Sequence, residues 1–203
     1  MNGVNAPFGL QPVRLLNGGA YTGGGTAYVI TSGYATALYS GDPVVTLADG
    51  SVGIGVAGSP ILGVFDHCEY IPTSGNPQFG YWPAAATAKT GTTIVAYVHD
   101  NPNIIFQVQE SNGSGGAGTP LALADVGFNA NFYVGTGNAA INPEGQSGTT
   151  INNASEGTTI DANLKILGLA PFAPGQNPVG NFAVWTVLIN NHQLKGGTGT
   201  LGT

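Results

Sequence analysis

The sequence predicts an all-β protein: a compact barrel- or sandwich-like domain with long glycine-rich loops and an extended N-terminal arm. Three observations carry that reading. The 203 residues include 34 glycines and 13 prolines, and these two residues are the strongest breaks in local structure. The short runs between them are rich in Val, Ile, Thr, Tyr and Phe, side chains that suit a pleated, half-buried surface. No window repeats apolar residues at helical spacing, and Ala84–Lys89 could make one turn at most.

Residues 1–20 read as the arm. Pro7 and Pro12 push the residues before them into extended backbone and forbid a helix. Phe8, Leu10 and Val13 are apolar anchors along it, and Asn17-Gly18-Gly19 with Gly23-Gly24-Gly25 make a flexible join to a β-rich body, residues 21–195. Within the body the clearest hairpin is Thr92–Val98 followed by Ile104–Glu110, turned at Asp100-Asn101-Pro102-Asn103. In its second strand Ile104, Phe106 and Val108 share one face and Ile105, Gln107 and Gln109 the other, the alternation of a half-buried strand.

The run 111–119, Ser-Asn-Gly-Ser-Gly-Gly-Ala-Gly-Thr, reads as a flexible loop and the best place for an internal boundary. Phe182–Ile189 is apolar on both faces, with Phe182, Val184 and Leu188 on one and Trp185, Val187 and Ile189 on the other. Such a strand is either central in a core or half-covered by a partner. Residues 196–203 read as a flexible tail.

Charge narrows the function classes. Asp, Glu, Lys and Arg make up 7 % of the chain, against roughly 25 % in ordinary globular domains. The cations are Arg14, Lys89, Lys165 and Lys195, in a chain of net charge −6. Affinity for nucleic acid comes from several cations neutralising phosphates together, so no nucleic-acid partner is expected. The same shortage argues against an anionic membrane surface, and no apolar run has the length of a membrane span. A surface of Gly, Ser, Thr, Asn and Ala costs little to desolvate, which suits docking and assembly. One cysteine, Cys68, excludes an intrachain disulfide framework. With no signal-like start, this fits assembly in a reducing cytoplasm.

Catalytic and cofactor chemistry finds little support. Gly53-Ile54-Gly55-Val56-Ala57-Gly58 matches G-x-G-x-x-G, but Ser59-Pro60 follows where dinucleotide binding needs a helix, and no acidic residue lies about 20 positions on. It reads as a glycine-rich turn. Asp66-His67-Cys68-Glu69 is the one dense cluster of ligand-type side chains. On a strand His67 and Glu69 share a face and Cys68 points away, and no second cluster completes a metal site. His99 and His192 stand alone in sequence. No nucleophile elbow is present, and no enzyme, cofactor, metal or catalytic residue is predicted. Phe79-Gly80-Tyr81-Trp82-Pro83 reads first as core or loop packing, with sugar stacking or an interface anchor as the alternatives.

Several stretches together resemble a known family. They are the arm Asn5-Ala6-Pro7-Phe8-Gly9-Leu10-Gln11-Pro12-Val13-Arg14, then Gly41-Asp42-Pro43-Val44, the run from Asp100-Asn101-Pro102 to Gln109-Glu110, Leu123-Ala124-Asp125-Val126-Gly127, and Trp185 through Asn190-Asn191-His192-Gln193-Leu194. They are similar to small head decoration, or cement, proteins of tailed bacteriophages. The resemblance implies a virion structural protein on the outer surface of the capsid. It would be commonly homotrimeric, stabilising contacts between major capsid protein subunits after assembly in the host cytoplasm. An extended arm suits strand addition to a neighbour's sheet edge. The candidate contacts are Pro7, Phe8, Leu10, Pro12, Val13 and Arg14 on the arm, with Trp185, Val187 and Ile189 on the C-terminal strand. The rival expectations are a tail or fibre module binding host-surface glycan through Tyr81 and Trp82, and an unrecognised hydrolase.

Overall fold

Glycine and proline breaks set the strand ends, and the β-branched and aromatic runs between them form the strands. A computed structural model describes residues 3–141, 143–195 and Gly202. In chain order the strands are β1 (Gln11–Leu15), β2 (Thr26–Ile30), β3 (Pro43–Thr46), β4 (Val52–Ile54), β5 (Gly63–Tyr70), β6 (Gln78–Gly80) and β7 (Ile94–His99). Then come β8 (Ile104–Ser111), β9 (Asn129–Ala130), β10 (Phe132–Tyr133), β11 (Thr150–Asn152), β12 (Leu164–Leu169) and β13 (Val184–Ile189). Among the described residues the helical content is one 3-10 turn, Leu123–Asp125. Ala84–Lys89 holds no helix, as its sequence suggested. The chain is all-β, as expected, and the tail expected at 196–203 falls outside the described residues apart from Gly202.

The first sheet runs β2-β7-β5-β3-β4, all antiparallel, with β6 paired to the C-terminal part of β5. It curls until β2 and β4 approach each other, nearly closing a barrel. The Tyr34 hydroxyl helps close the gap by accepting the Ile54 N–H at 2.8 Å. The second sheet runs β10-β11-β8-β13-β12-β9. Its β8 holds β13 along one edge, and β1 and then β11 in line along the other, with β11 parallel to it.

Each sheet has its own core. Ile30, Leu38, Val44, Phe65, Cys68, Trp82, Ile94, Ala96 and Val98 fill the first. Leu10, Ile104, Phe106, Val108, Phe132, Leu164, Trp185, Val187 and Ile189 build the second, joined by Ile61 and Val64 from the first sheet's side. The two cores therefore meet across the β3–β5 part of the first sheet.

Two expectations are corrected here. The strands predicted on either side of Asp100–Asn103 both exist, but they form no hairpin. β7 pairs with β2 and β5, whereas β8 pairs with β1, β11 and β13. The turn carries the chain from one core to the next instead of folding it back. The first core's residues all precede Asp100–Asn103, and apart from Leu10, Ile61 and Val64 the second core's buried residues follow it, on both sides of the run 111–119. Within that run the Asn112 side chain accepts the Ser114 and Gly116 N–H groups, both at 2.9 Å, and donates to the Ala117 carbonyl at 2.7 Å.

The second correction concerns the arm. Residues 11–15 are a strand of the second sheet, with Gln11 opposite Gln107 and Leu15 opposite Ile104. Ahead of them the chain lies along its own body. Gln109 clamps it by accepting the Ala6 N–H at 2.9 Å while donating to the Val4 carbonyl at 2.9 Å and the Phe182 carbonyl at 3.1 Å. Gln146 donates to the Pro7 carbonyl at 3.0 Å, and Leu10 N–H to the Gly41 carbonyl at 2.9 Å. At this crossing a Cβ on Gly9, whose φ is +75°, would sit 2.7 Å from the Gly41 oxygen. A Cβ on Gly41, whose φ is +95°, would in turn sit 2.9 Å from the Phe8 oxygen, so this crossing needs glycine on both sides.

Candidate interaction surface

The expected contact residues divide sharply. Leu10, Trp185, Val187 and Ile189 are fully buried in the second core. β13 is flanked by β8 and β12, so its two apolar faces mark a central strand and not one half-covered by a partner. Pro7, Phe8 and Pro12 are half-buried against the chain's own body, leaving Val13 and Arg14 as the exposed members. Val13 falls where the β1–β8 register shifts, which turns it out of the ladder.

A larger apolar surface lies on the first sheet, and it follows from strand alternation. In β7, Ile94, Ala96 and Val98 point into the first core, so Val95 and Tyr97 point away from it. Cross-strand register then lines up a row over four strands: Val29 opposite Val95, Val95 opposite Glu69, and Glu69 opposite Phe79. A second row places Ala27 opposite Tyr97 and Tyr97 opposite His67. Val29 is 46 % exposed and Phe79 51 %. The His67 ring sits between the Phe79 and Tyr97 rings, at centroid distances of 4.4 and 4.5 Å. Beside Phe79 an open cleft of about 400 Å³ is walled by Ile71, Pro77, Phe79 and Val95, with Glu69 and Gln78 at its rim.

The sequence-level cluster Asp66–Glu69 resolves into separate roles. A bulge in β5 shifts register between Phe65 and His67, so Phe65 and Cys68 enter the core while Asp66 and His67 both face out. His67 and Glu69 share the outer face, as the strand reading expected. Burial, with the Glu69 charge, pushes the Cys68 thiol up to about 12, so it is no thiolate at neutral pH. Asp66 instead sits between two imidazoles, 3.1 Å from His67 Nδ1 and 3.7 Å from His99 Nε2. The other nitrogen of His99 meets the Tyr21 hydroxyl at 2.6 Å. A neutral His99 satisfies both contacts if Nδ1 accepts from Tyr21 and Nε2–H faces Asp66. Burial lowers the pKa of His99, keeping it neutral. The cluster thus pins the segment 16–25 to the end of β7. Among the described residues no three His, Cys, Asp or Glu side chains are grouped to hold a metal ion.

Two buried carboxylates complete the electrostatics. Asp42 accepts the Ser147 hydroxyl at 2.5 Å, the Tyr39 N–H at 2.8 Å and the Thr149 hydroxyl at 3.2 Å, joining the first sheet's loops to segment 147–149. Burial pushes its pKa up to about 6 despite those donors. Glu110 lies inside the second core and accepts the Leu121 N–H at 2.8 Å, and burial pushes it up to about 7. Both are buried, at 2 % and 0 % exposure, and tie separate segments of the chain together.

Of the aromatic group 79–83, Trp82 is fully buried, with its ring N–H donating to the Tyr34 carbonyl at 3.1 Å. It cannot stack on a sugar. Tyr81 stacks on Tyr39 at 5.3 Å, and Phe79 alone stands well exposed. The G-x-G-x-x-G segment ends in a turn at Val56–Ser59, where the Gly58 N–H donates to Asn163 at 2.8 Å, with no helix behind it.

The arrangement defines an all-β protein with two cores and one partly bare sheet face. In comparisons with family models, curated proteins and solved structures, nothing matches this chain. The bare face was not singled out from sequence. Its signal was present: Ile94–Tyr97 is apolar at successive positions, which one core cannot absorb on both faces.

Proposed function

We propose that this chain is a virion structural protein, a decoration or cement protein that docks on the outer surface of a tailed-phage head. There it stabilises contacts between major capsid protein subunits. The observation that carries the proposal is the bare half of the first sheet's outer face, apolar and aromatic, on a chain with 7 % charged residues. An exposed apolar patch of this kind, with one carboxylate at its rim, favours a protein partner. The sequence resemblance supplies the identity of that partner. A homotrimer is the assembly that the sequence resemblance implies, and closed symmetry of that kind is usual for soluble oligomers.

The docking elements differ from those expected at first. Removing residues 1–14 would take away Leu10 and most of β1, and so would test folding before docking. The direct experiment adds purified protein to expanded, undecorated heads and images the particles. Density on the outer shell, lost with Phe79→Ser combined with Val29→Ser, is the expected result. Density on the tail, or none on the head, overturns the proposal.

A further inference from the structure

The row Val29–Val95–Glu69–Phe79 holds one charged side chain, Glu69. Glu69 is exposed, and among the described residues no cation pairs with it. Lys89 reaches the cleft rim with its backbone, donating to the Ile71 carbonyl at 2.7 Å, yet its ammonium makes no ion pair there. A partner that covers this face must therefore answer an isolated carboxylate. Covering it with apolar surface would strand a charge away from water, at a cost no neighbouring contact offsets. A cation offsets it, and the geometry favours one twice. Glu69 stands directly opposite Phe79 in the ladder, so a cation in the cleft meets the carboxylate beside the side of the Phe79 ring that His67 does not cover. The cleft of about 400 Å³ is large enough for a long side chain, and Ile71 and Pro77 offer apolar walls for its methylene stem. A second copy of this chain is a poor occupant. Two such faces apposed would set carboxylate against carboxylate, in a protein of net charge −6 with four cations.

We propose that the cleft beside Phe79 receives a lysine or arginine side chain from the protein on which this face docks. The inference rests on the docking reading above and adds the chemistry of the contact. Expanded, undecorated heads are titrated with the wild type, Glu69→Gln, Glu69→Lys and Phe79→Ala, with thermal unfolding as a check that each exposed variant stays folded. Half-saturation should rise about 5-fold for Glu69→Gln and more than about 10-fold for Glu69→Lys. Added salt should weaken the wild type more than Glu69→Gln. Loss of binding in Phe79→Ala with both Glu69 variants unchanged would overturn the cation while leaving docking intact. No binding by the wild type to any head would remove the docking reading and this inference together. Self-association that sedimentation detects and Glu69→Lys abolishes would overturn it in favour of a second copy.

Discussion

The outer face of the first sheet is one surface with two fates. At the β3 and early β5 end, Val45 and Val64 face the second core and are closed off by it. Along β6 and β2, Phe79 and Val29 run out to solvent, while late β5 turns His67 and Glu69 outward between them. β5 itself passes from one regime to the other, and the bulge at Asp66 marks the passage. The covered half shows what an apolar sheet face needs for stability. The bare half carries Val29, Val95 and Phe79 without that cover, beside His67 and Glu69, and it is the face on which the docking proposal rests.

The comparison breaks most readily on the covered side. Phe106→Ala empties the centre of the second core, and such truncations cost about 3–5 kcal/mol; a urea titration should show the midpoint collapse. Leu10→Ala should cost about 2–4 kcal/mol by the same measure, because Leu10 is as buried as any strand residue. An unchanged midpoint in Leu10→Ala would mean that the arm does not hold the body together. On the bare side, Phe79→Ala should move stability by about 0.5 kcal/mol or less, since exposed positions seldom do more. A large loss there would show the face already supported from within.

A pH series sharpens the contrast in another way. Glu110 titrates near 4.5 unfolded and about 7 folded. A folded pKa raised above the unfolded one gives stability that is complete below about 4.5 and lost as pH rises through about 7. Asp42, raised from 3.8 to about 6, acts in the same direction over a lower window. His99 and His192, lowered by burial, act oppositely and weaken the fold as pH falls. Glu110→Gln keeps an acceptor for the Leu121 N–H and removes the titration. Between pH 5 and pH 8 the wild type should therefore lose about 2 kcal/mol relative to Glu110→Gln, read from paired urea curves. Parallel curves would show that Glu110 stays solvated.

How much of this was legible in the sequence depends on the range of the interaction involved. The strand cores at Ile94–Val98, Ile104–Glu110 and Val184–Ile189 could be read because alternation and punctuation are local. The shared face of His67 and Glu69 could be read for the same reason. The pairing of β7 could not: whether two adjacent strands fold back or part company turns on partners such as β2 and β13, nearly 70 and 80 residues away from them respectively. Core packing was the first reading for Trp82, but nothing nearby in sequence shows that the Tyr34 carbonyl takes its N–H.

The arm shows the same limit. Its prolines determined extended backbone by themselves, since a locked φ forbids a helix wherever the chain lies. Whether that extended segment reached out or folded back was decided by Gln109, Gln146 and Gly41, residues far off in sequence that converge only once both sheets have formed. The sequence by itself thus determined an all-β chain with a sparsely charged surface. Only the tertiary structure decided which apolar residues the two cores consumed and which were left on the outside. Burial depends on what the rest of the chain brings to a face, and local pattern carries no record of that.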